Sequence, residues 1–287
     1  MIQTMQQIAT IAKMRTHINE ARRQGKRIGI VPTMGFLHEG HLSLVKAARE
    51  KCDLIVMSIF VNPLQFGPNE DFERYPRNIE RDREMAASAG VDLLFTPEVS
   101  EMYPKPILTN ISVANVTAPL CGASRPGHFD GVATVVTKLF QIVQPDYAFF
   151  GQKDAQQVAV ITQMVHDLSM PVQIVPCPII READGLAMSS RNVYLSQEER
   201  TQALVLSQSL KLAETWLDEG IALVEIKDRL IQKITEMPLA SIDYVEILRF
   251  PNLEPVEQEV AGQAIIIALA VKFGKTRLID NLITEIR

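Results

Sequence analysis

A chain of 287 residues, 47% of them hydrophobic, is long enough for one large core and a smaller one. Its formal net charge of −5 argues against a general nucleic-acid binder, which needs a basic excess. The longest apolar run, residues 264–271, is too short to span a bilayer, and residues 1–7 have neither the basic start nor the apolar core of a signal peptide. With three widely spaced cysteines, Cys52, Cys121 and Cys177, that read as reduced thiols, the expectation is a cytoplasmic protein without membrane or nucleic-acid partners.

Residues 6–24 space Ile8, Ile11, Ile18 and Ala21 as one helical face, stopped by Gly25. The apolar run 28–31 predicts a buried strand. It breaks at Pro32 and Gly35, and an amphipathic helix begins near His41. Strand, glycine turn and helix N-terminus make an anion-binding corner, because unpaired amides and the helix dipole converge there. A positive helix terminus disfavours imidazolium, so His38 and His41 are expected as neutral donors to phosphate. One histidine near a turn is usually an ordinary surface residue, but two flanking Glu39 and Gly40 at this turn point to function. Zinc is disfavoured, because the zincin pattern places its histidines four apart on a formed helix and these are three apart.

A second buried strand covers 53–61 and leads into the loop 62–68, at the strand end where open α/β sheets bind ligands. Asn62 and Gln65 are the polar groups of that loop; ordinary turn chemistry and ligand contact explain them equally well. The proline-punctuated segment 67–76, with Tyr75, is a flap or a long connection. A helix over 78–89 and a strand over 92–95 follow. Residues 97–127 are irregular apart from a short strand at 109–113. Residues 122–128 lack the lysine of a Walker motif and residues 274–276 lack its upstream glycine, so nucleotide binding must use another geometry. Arg125 and His128 line a site or cap the next helix, 131–143, whose Val132, Val135, Val136 and Leu139 form an apolar face.

The strand 146–151 turns through residues 152–157 into a helix ending near 168, repeating the geometry of the first corner. Lys153 sits at that ligand end beside Asp154, a candidate ribose acceptor, with Gln157 one turn further on. A strand at 172–178 completes an alternation of strands and helices, the signature of a Rossmann-like parallel sheet covered on both faces. Beyond it the pattern changes. A helix capped by Ser196 and Glu199 runs to 217 and another spans 224–236. Strands at 243–248, 264–273 and 276–283 follow, the last two joined by a Gly274-Lys275 hairpin turn. The expectation is an α/β domain over 1–181 and a smaller C-terminal α+β domain over 182–287.

Residues 38–41, His-Glu-Gly-His, resemble the His-x-Gly-His motif of the nucleotidyltransferase and class I aminoacyl-tRNA synthetase superfamily. With residues 32–41, 62–66, 125–131, 151–157 and 188–192 taken together and in order, the chain resembles the pantothenate synthetase (pantoate–beta-alanine ligase) family over its whole length. That resemblance implies ATP-dependent joining of pantoate and beta-alanine through a pantoyl adenylate, with Mg²⁺, in a homodimer. It implies ATP contacts from Met34, Gly35, Phe36, Leu37, His38, Glu39, Gly40, His41, Gly151, Gln152, Lys153, Asp154, Ile180, Met188, Ser189, Ser190 and Arg191. It further implies that Gln65 and Gln157 hold pantoate beside Asn62, Gln65 also reaching beta-alanine, that the C-terminal domain acts as a lid, and that His41 is the proton donor assisted by His38, Lys153 and Arg191. Phe36 departs from the small residue more usual there. Two other readings stay open at this point: another adenylyl-transferring enzyme, such as a phosphopantetheine adenylyltransferase, and a non-catalytic nucleotide-binding module.

Overall fold

The apolar runs become parallel strands. The computed structural model describes residues 5–68 and 70–287; Met1 to Thr4, at the head of the stretch read for a targeting signal, and Asn69, inside the 67–76 segment, lie outside the described residues. Six strands, β1 (Gln6–Ile8), β2 (Ile28–Thr33), β3 (Leu54–Ile59), β4 (Leu93–Phe95), β5 (Tyr147–Gly151) and β6 (Gln173–Cys177), form one sheet in the order β1-β4-β3-β2-β5-β6, every pairing parallel. The helices are α1 (Ile11–Arg23), α2 (Glu39–Arg49), α3 (Ile79–Ser88), the short α4 (Val99–Met102) and α5 (Cys121–Ser124), α6 (His128–Val143) and α7 (Ala155–Asp167). Val31, Ile55, Met57, Leu94 and Phe149 face α2 and α3 through Leu44, Val45, Ala48 and Ala86. On the opposite face α6 packs on β2, and α1 on α6. Strand order reverses between β2 and β5, so their carboxyl ends flank the crevice where such sheets hold ligands.

The chain divides into two compact units. The first is Met1–Val113, Arg125–Gln152 and Val160–Pro178; the second is Ala114–Ser124, Lys153–Ala159 and Ile179–Arg287. Residues 114–124, 153–159 and 179–181, all expected in the first domain, therefore belong with the C-terminal part. In the second unit α8 (Gln197–Ala203), α9 (Val205–Asp218) and α10 (Leu223–Thr235) pack on an antiparallel sheet of β7 (Ala240–Arg249), β8 (Ala264–Phe273) and β9 (Thr276–Glu285). This is the α/β fold with a smaller α+β unit that the sequence pattern predicts.

Three local expectations need correction. Residues 6–8 are an edge strand and not helix: Ile8 is buried opposite Phe95, and the helix starts only at Ile11, after Thr10 accepts the Lys13 N–H. No strand forms at 109–113, where Ile111 donates instead to the Thr134 hydroxyl of α6. The single helix expected over 196–217 breaks at Leu204. Leu204 serves as C-cap of the first helix and N-cap of the second, and Ala203, Val205 and Leu206 around it are all buried. The capping box at Ser196 and Glu199 forms as expected, with bonds of 3.2 and 2.8 Å.

Cys52, Cys121 and Cys177 are free thiols and buried. Burial pushes the Cys52 thiol up to about 11 and raises Cys177 as well, so neither is poised as a nucleophile. Among the described residues no helix is long and apolar enough to cross a membrane.

Candidate active site

Thr33, the last residue of β2, ties the turn to the neighbouring strand. Its hydroxyl donates to the Ser58 carbonyl at 2.7 Å and accepts the Gly35 N–H at 3.2 Å. Gly35 and Phe36 then both take left-handed conformations, φ 84° and 50°. A side chain at Gly35 would lie 2.8 Å from Ile59 and 3.0 Å from Asp82, so only glycine fits. Phe36 has no such freedom, and its strain is offset by three bonds. The Phe36 and Leu37 amides donate to the two oxygens of buried Asp82, each at 2.7 Å, and Arg81 donates to the Leu37 carbonyl at 2.9 Å. The Arg81 guanidinium also stacks 5.2 Å from the Phe36 ring, which gives the unusual aromatic residue its packing partner.

The corner is not the set of unpaired amides that the sequence suggests. Gly35, Phe36 and Leu37 donate as just described, His38 N–H goes to His41 Nδ1 at 3.3 Å, and Gly40 N–H goes to His38 Nδ1 at 3.2 Å. The amides are used internally because the turn needs them to hold its own shape. His38 is the N-cap of α2 and His41 its third residue, so the two rings form a reciprocal capping box, their centroids 4.0 Å apart. With each Nδ1 accepting an N–H, the proton of each neutral ring sits on Nε2. The corner thus presents imidazole donors where backbone donors were expected. Glu39 is exposed, and Gly40 contributes its amide to the cap.

Gln65 is held from both ends. Its carbonyl accepts from His128 Nδ1 at 2.8 Å and from Arg125 at 3.3 Å, while Arg125 pairs with Glu70 through two 2.6 Å contacts and reaches His128 Nε2 at 3.1 Å. Arg125 and His128 therefore clamp the loop after β3. Burial alone would raise the Glu70 carboxyl, but the hydrogen bonds and charge of Arg125 outweigh it and hold the group below its ordinary range. The Gln65 side chain lies against Met34, Nε2 to Sδ 3.1 Å, and against Asn62, which is 1% exposed. Gly131 on α6 lies so close to this turn that a Cβ there would run into the Leu64 carbonyl and stand 2.7 Å from the Gln65 amide nitrogen.

Gly151 ends β5 and Gln152 follows it, at the same sheet edge as the β2 turn. Lys153, Asp154, Gln157, Ile180, Met188, Ser189, Ser190 and Arg191 lie in the second unit. There Lys153 is within 3.7 Å of Asp154, and its carbonyl accepts from Asn281 of β9 at 2.9 Å. Gln156 is buried and fixes the segment 116–121, donating to the Val116 and Pro119 carbonyls and accepting from the Cys121 amide, so Gln157, half-buried, is the glutamine with an open face. Met188 N–H bonds the Ile180 carbonyl at 2.9 Å, and Ser189 accepts the Arg191 N–H. This arm is braced by Arg181 on buried Asp280 at 2.6 and 3.0 Å, by Asn192 on Glu182 at 2.8 Å, and by Arg200 on Glu182 and Asp184 at 2.7 Å each.

Asp82, Tyr103, Asp280 and Asn281 were not singled out from sequence. Asp82 looks like any acidic residue in the first turn of a helix, and the other three act through partners 41 to 128 residues away. No local spacing reveals such bonds.

A sequence model of the family described as Pantoate-beta-alanine ligase matches residues 6–283. A pantothenate synthetase of Pelotomaculum thermopropionicum is 57% identical over 275 residues, covering 96% of this chain and 97% of that one. The crystal structure of the pantothenate synthetase from Thermus thermophilus superposes with a TM-score of 0.91 at 47% identity, over 97% of this chain and 99% of that one. The pantoate-beta-alanine ligase from Francisella tularensis, solved with beta-gamma ATP and beta-alanine, gives a TM-score of 0.80 at 36% identity and 97% coverage of each chain.

Two outcomes follow from the geometry. Asp82→Ala leaves the Phe36 and Leu37 amides without their acceptor and should cost about 2–4 kcal/mol, read as a lower urea midpoint at unchanged slope. A variant with native stability would show that the carboxylate does not hold the turn. The Glu70 carboxyl is depressed in the folded state, so its contribution is complete above the ordinary value of 4.5 and is lost as pH falls through the lower folded value. The difference in unfolding free energy between the native chain and Glu70→Gln should therefore be constant near neutrality and close on acidification, and urea titrations from pH 7 to 3 check it.

Proposed function

Since the chain belongs to the pantoate–beta-alanine ligase family, which makes it an ATP-dependent ligase of pantoate and beta-alanine, we propose that it works through a pantoyl adenylate. A pantoate carboxylate oxygen attacks the α-phosphorus of ATP and the bond to pyrophosphate breaks. The beta-alanine amine then attacks the acyl carbon, loses a proton and expels AMP. The observation that carries this reading is the stacked His38–His41 capping box at the β2 turn. It fixes Nε2–H donors at the ligand end of the sheet without needing a protein nucleophile, as catalysis by position and electrostatics requires. The full-length family match sets aside the phosphopantetheine adenylyltransferase and the non-catalytic module.

In this mechanism His41, supported by His38, donates to the phosphate oxygens as charge builds on them. Lys153 adds a point charge, and Arg191, with Ser189 and Ser190, binds phosphate oxygens in the two-pronged manner that lysine cannot offer. Asp154 accepts a ribose hydroxyl. Met34, the turn 35–41, Gly151, Gln152, Ile180 and Met188 complete the nucleotide contacts, and Gln65 and Gln157 hold pantoate. The donor set suits a magnesium ion that arrives with the nucleotide. Among the described residues no group of three or more histidine, cysteine or carboxylate side chains could hold a metal, so phosphate oxygens and water would supply most of its ligands. The ion would neutralise phosphate charge. A cytoplasmic homodimer in which the C-terminal part, residues 182–287, serves as a lid belongs to the same proposal.

Exchange of labelled pyrophosphate into ATP should require pantoate and proceed without beta-alanine. Exchange with no acid present, or none with pantoate, would overturn the adenylate. Lys153→Ala separates the half-reactions. Negative charge on phosphate builds up mainly in the first, so single-turnover adenylation should fall about 100-fold or more, as for loss of one preorganised electrostatic donor. Amide formation from supplied pantoyl adenylate and beta-alanine should suffer much less, and equal slowing of both would make Lys153 a positioning residue.

A further inference from the structure

The polarity of an amide side chain depends on which end meets a partner that can only donate or only accept. Asn62 meets both kinds. The Leu64 N–H can only donate, and it faces Asn62 Oδ1 at 3.3 Å; the Gly131 carbonyl can only accept, and it faces Asn62 Nδ2 at 3.0 Å. These two backbone groups settle which end of Asn62 is oxygen. Tyr103, whose phenol burial keeps protonated far above the ordinary range, adds a third bond by donating to the same Oδ1 at 2.9 Å. Its ring is set against Phe60 at 5.9 Å and under Lys138 at 5.3 Å. The second N–H of Asn62 is then directed at Gln65 Oε1, 3.2 Å away. Gln65 Oε1 must accept, and so Nε2 is the end turned away from Asn62. Among the described residues the only protein acceptor near Nε2 is the Met34 sulfur, a weak one that uses a single N–H.

We propose that Tyr103 and Asn62 are positioning residues that lock Gln65 as a hydrogen-bond donor, so that this site recognises an acceptor oxygen of its substrate. The proposal rests on the reading of Gln65 as a pantoate-binding residue and adds what sets its direction. A free glutamine amide rotates to suit either kind of ligand; this one cannot. The oxygens of pantoate, like the carboxylate of beta-alanine, suit such a donor, whereas a group that can only donate finds no acceptor there. Discrimination of this kind is strong, because a mismatched ligand leaves a buried polar group unpaired.

Asn62→Asp is the direct test. The substitution replaces the N–H that faces Gln65 with an oxygen, which obliges the Gln65 amide to turn and present its own oxygen to the ligand. The KM for pantoate should rise about tenfold or more, with the KM for ATP unchanged. Tyr103→Phe keeps the ring and removes one of three anchors, and should raise the pantoate KM about two- to fivefold. Both effects should vanish in a Gln65→Ala background, because residues that act only through Gln65 have nothing left to orient. Should Asn62→Asp not fold, the cycle of Tyr103→Phe with Gln65→Ala answers the same question. Additive effects in the cycle, or equal changes in the KM values for pantoate and ATP, would overturn the relay while leaving Gln65 in the site. A Gln65→Ala enzyme with native pantoate KM would remove the reading beneath it.

Discussion

Two backbone amides, those of Phe36 and Leu37, end on the two oxygens of one buried carboxylate. The chain leaves β2 through consecutive left-handed residues, a path that a non-glycine such as Phe36 takes only when its surroundings compel it. Asp82 supplies that compulsion from α3, and the path it enforces delivers His38 to the N-cap of α2. From there the capping box follows, each imidazole taking an amide of the other's neighbourhood, and with it the placement of protons on the outer ring nitrogens. The chemical character of the corner is thus decided by a carboxylate on another element, α3, both of whose oxygens are spent on the turn.

The second unit solves a similar problem with one strand. Asp280 and Asn281 are adjacent on β9, and successive side chains of a strand point to opposite faces. Asp280 takes the Arg181 guanidinium and Asn281 takes the Lys153 carbonyl. A single stretch of backbone therefore fixes both the segment that carries Lys153 and the base of the arm that carries Ser189 and Arg191. Precision here comes from a rigid element and not from the loops themselves.

What the sequence shows of this molecule is what is local or periodic. The apolar runs at β2, β3 and β5, the capping box at Ser196 and the Gly274-Lys275 turn follow from spacing alone, and they carry the architecture. The edge strand β1 was hidden because three residues are too few for a period, and Ile8 also fits a helical face. The segment 109–113 has a strand's composition, yet composition does not supply a partner strand. At the site, histidines, lysine and glutamines could be named from motif and placement. Their supports could not, since Asp82, Tyr103 and Asn281 matter through bonds between distant parts of the chain. The anion corner shows the limit most clearly: the sequence reveals where amides converge, but not that the turn uses them on itself.

Gly131 sits inside α6, where a glycine is destabilising by about 1 kcal/mol relative to alanine. The helix accepts that loss because its backbone and the turn that carries Gln65 touch without an intervening side chain. The routine route to a more heat-resistant protein, filling helix glycines with alanine, would here push on the Leu64 carbonyl and on the Gln65 backbone amide. Helix propensity and the close approach of the turn meet in one missing methyl group, and a lineage adapting to higher temperature would have to find its stability elsewhere.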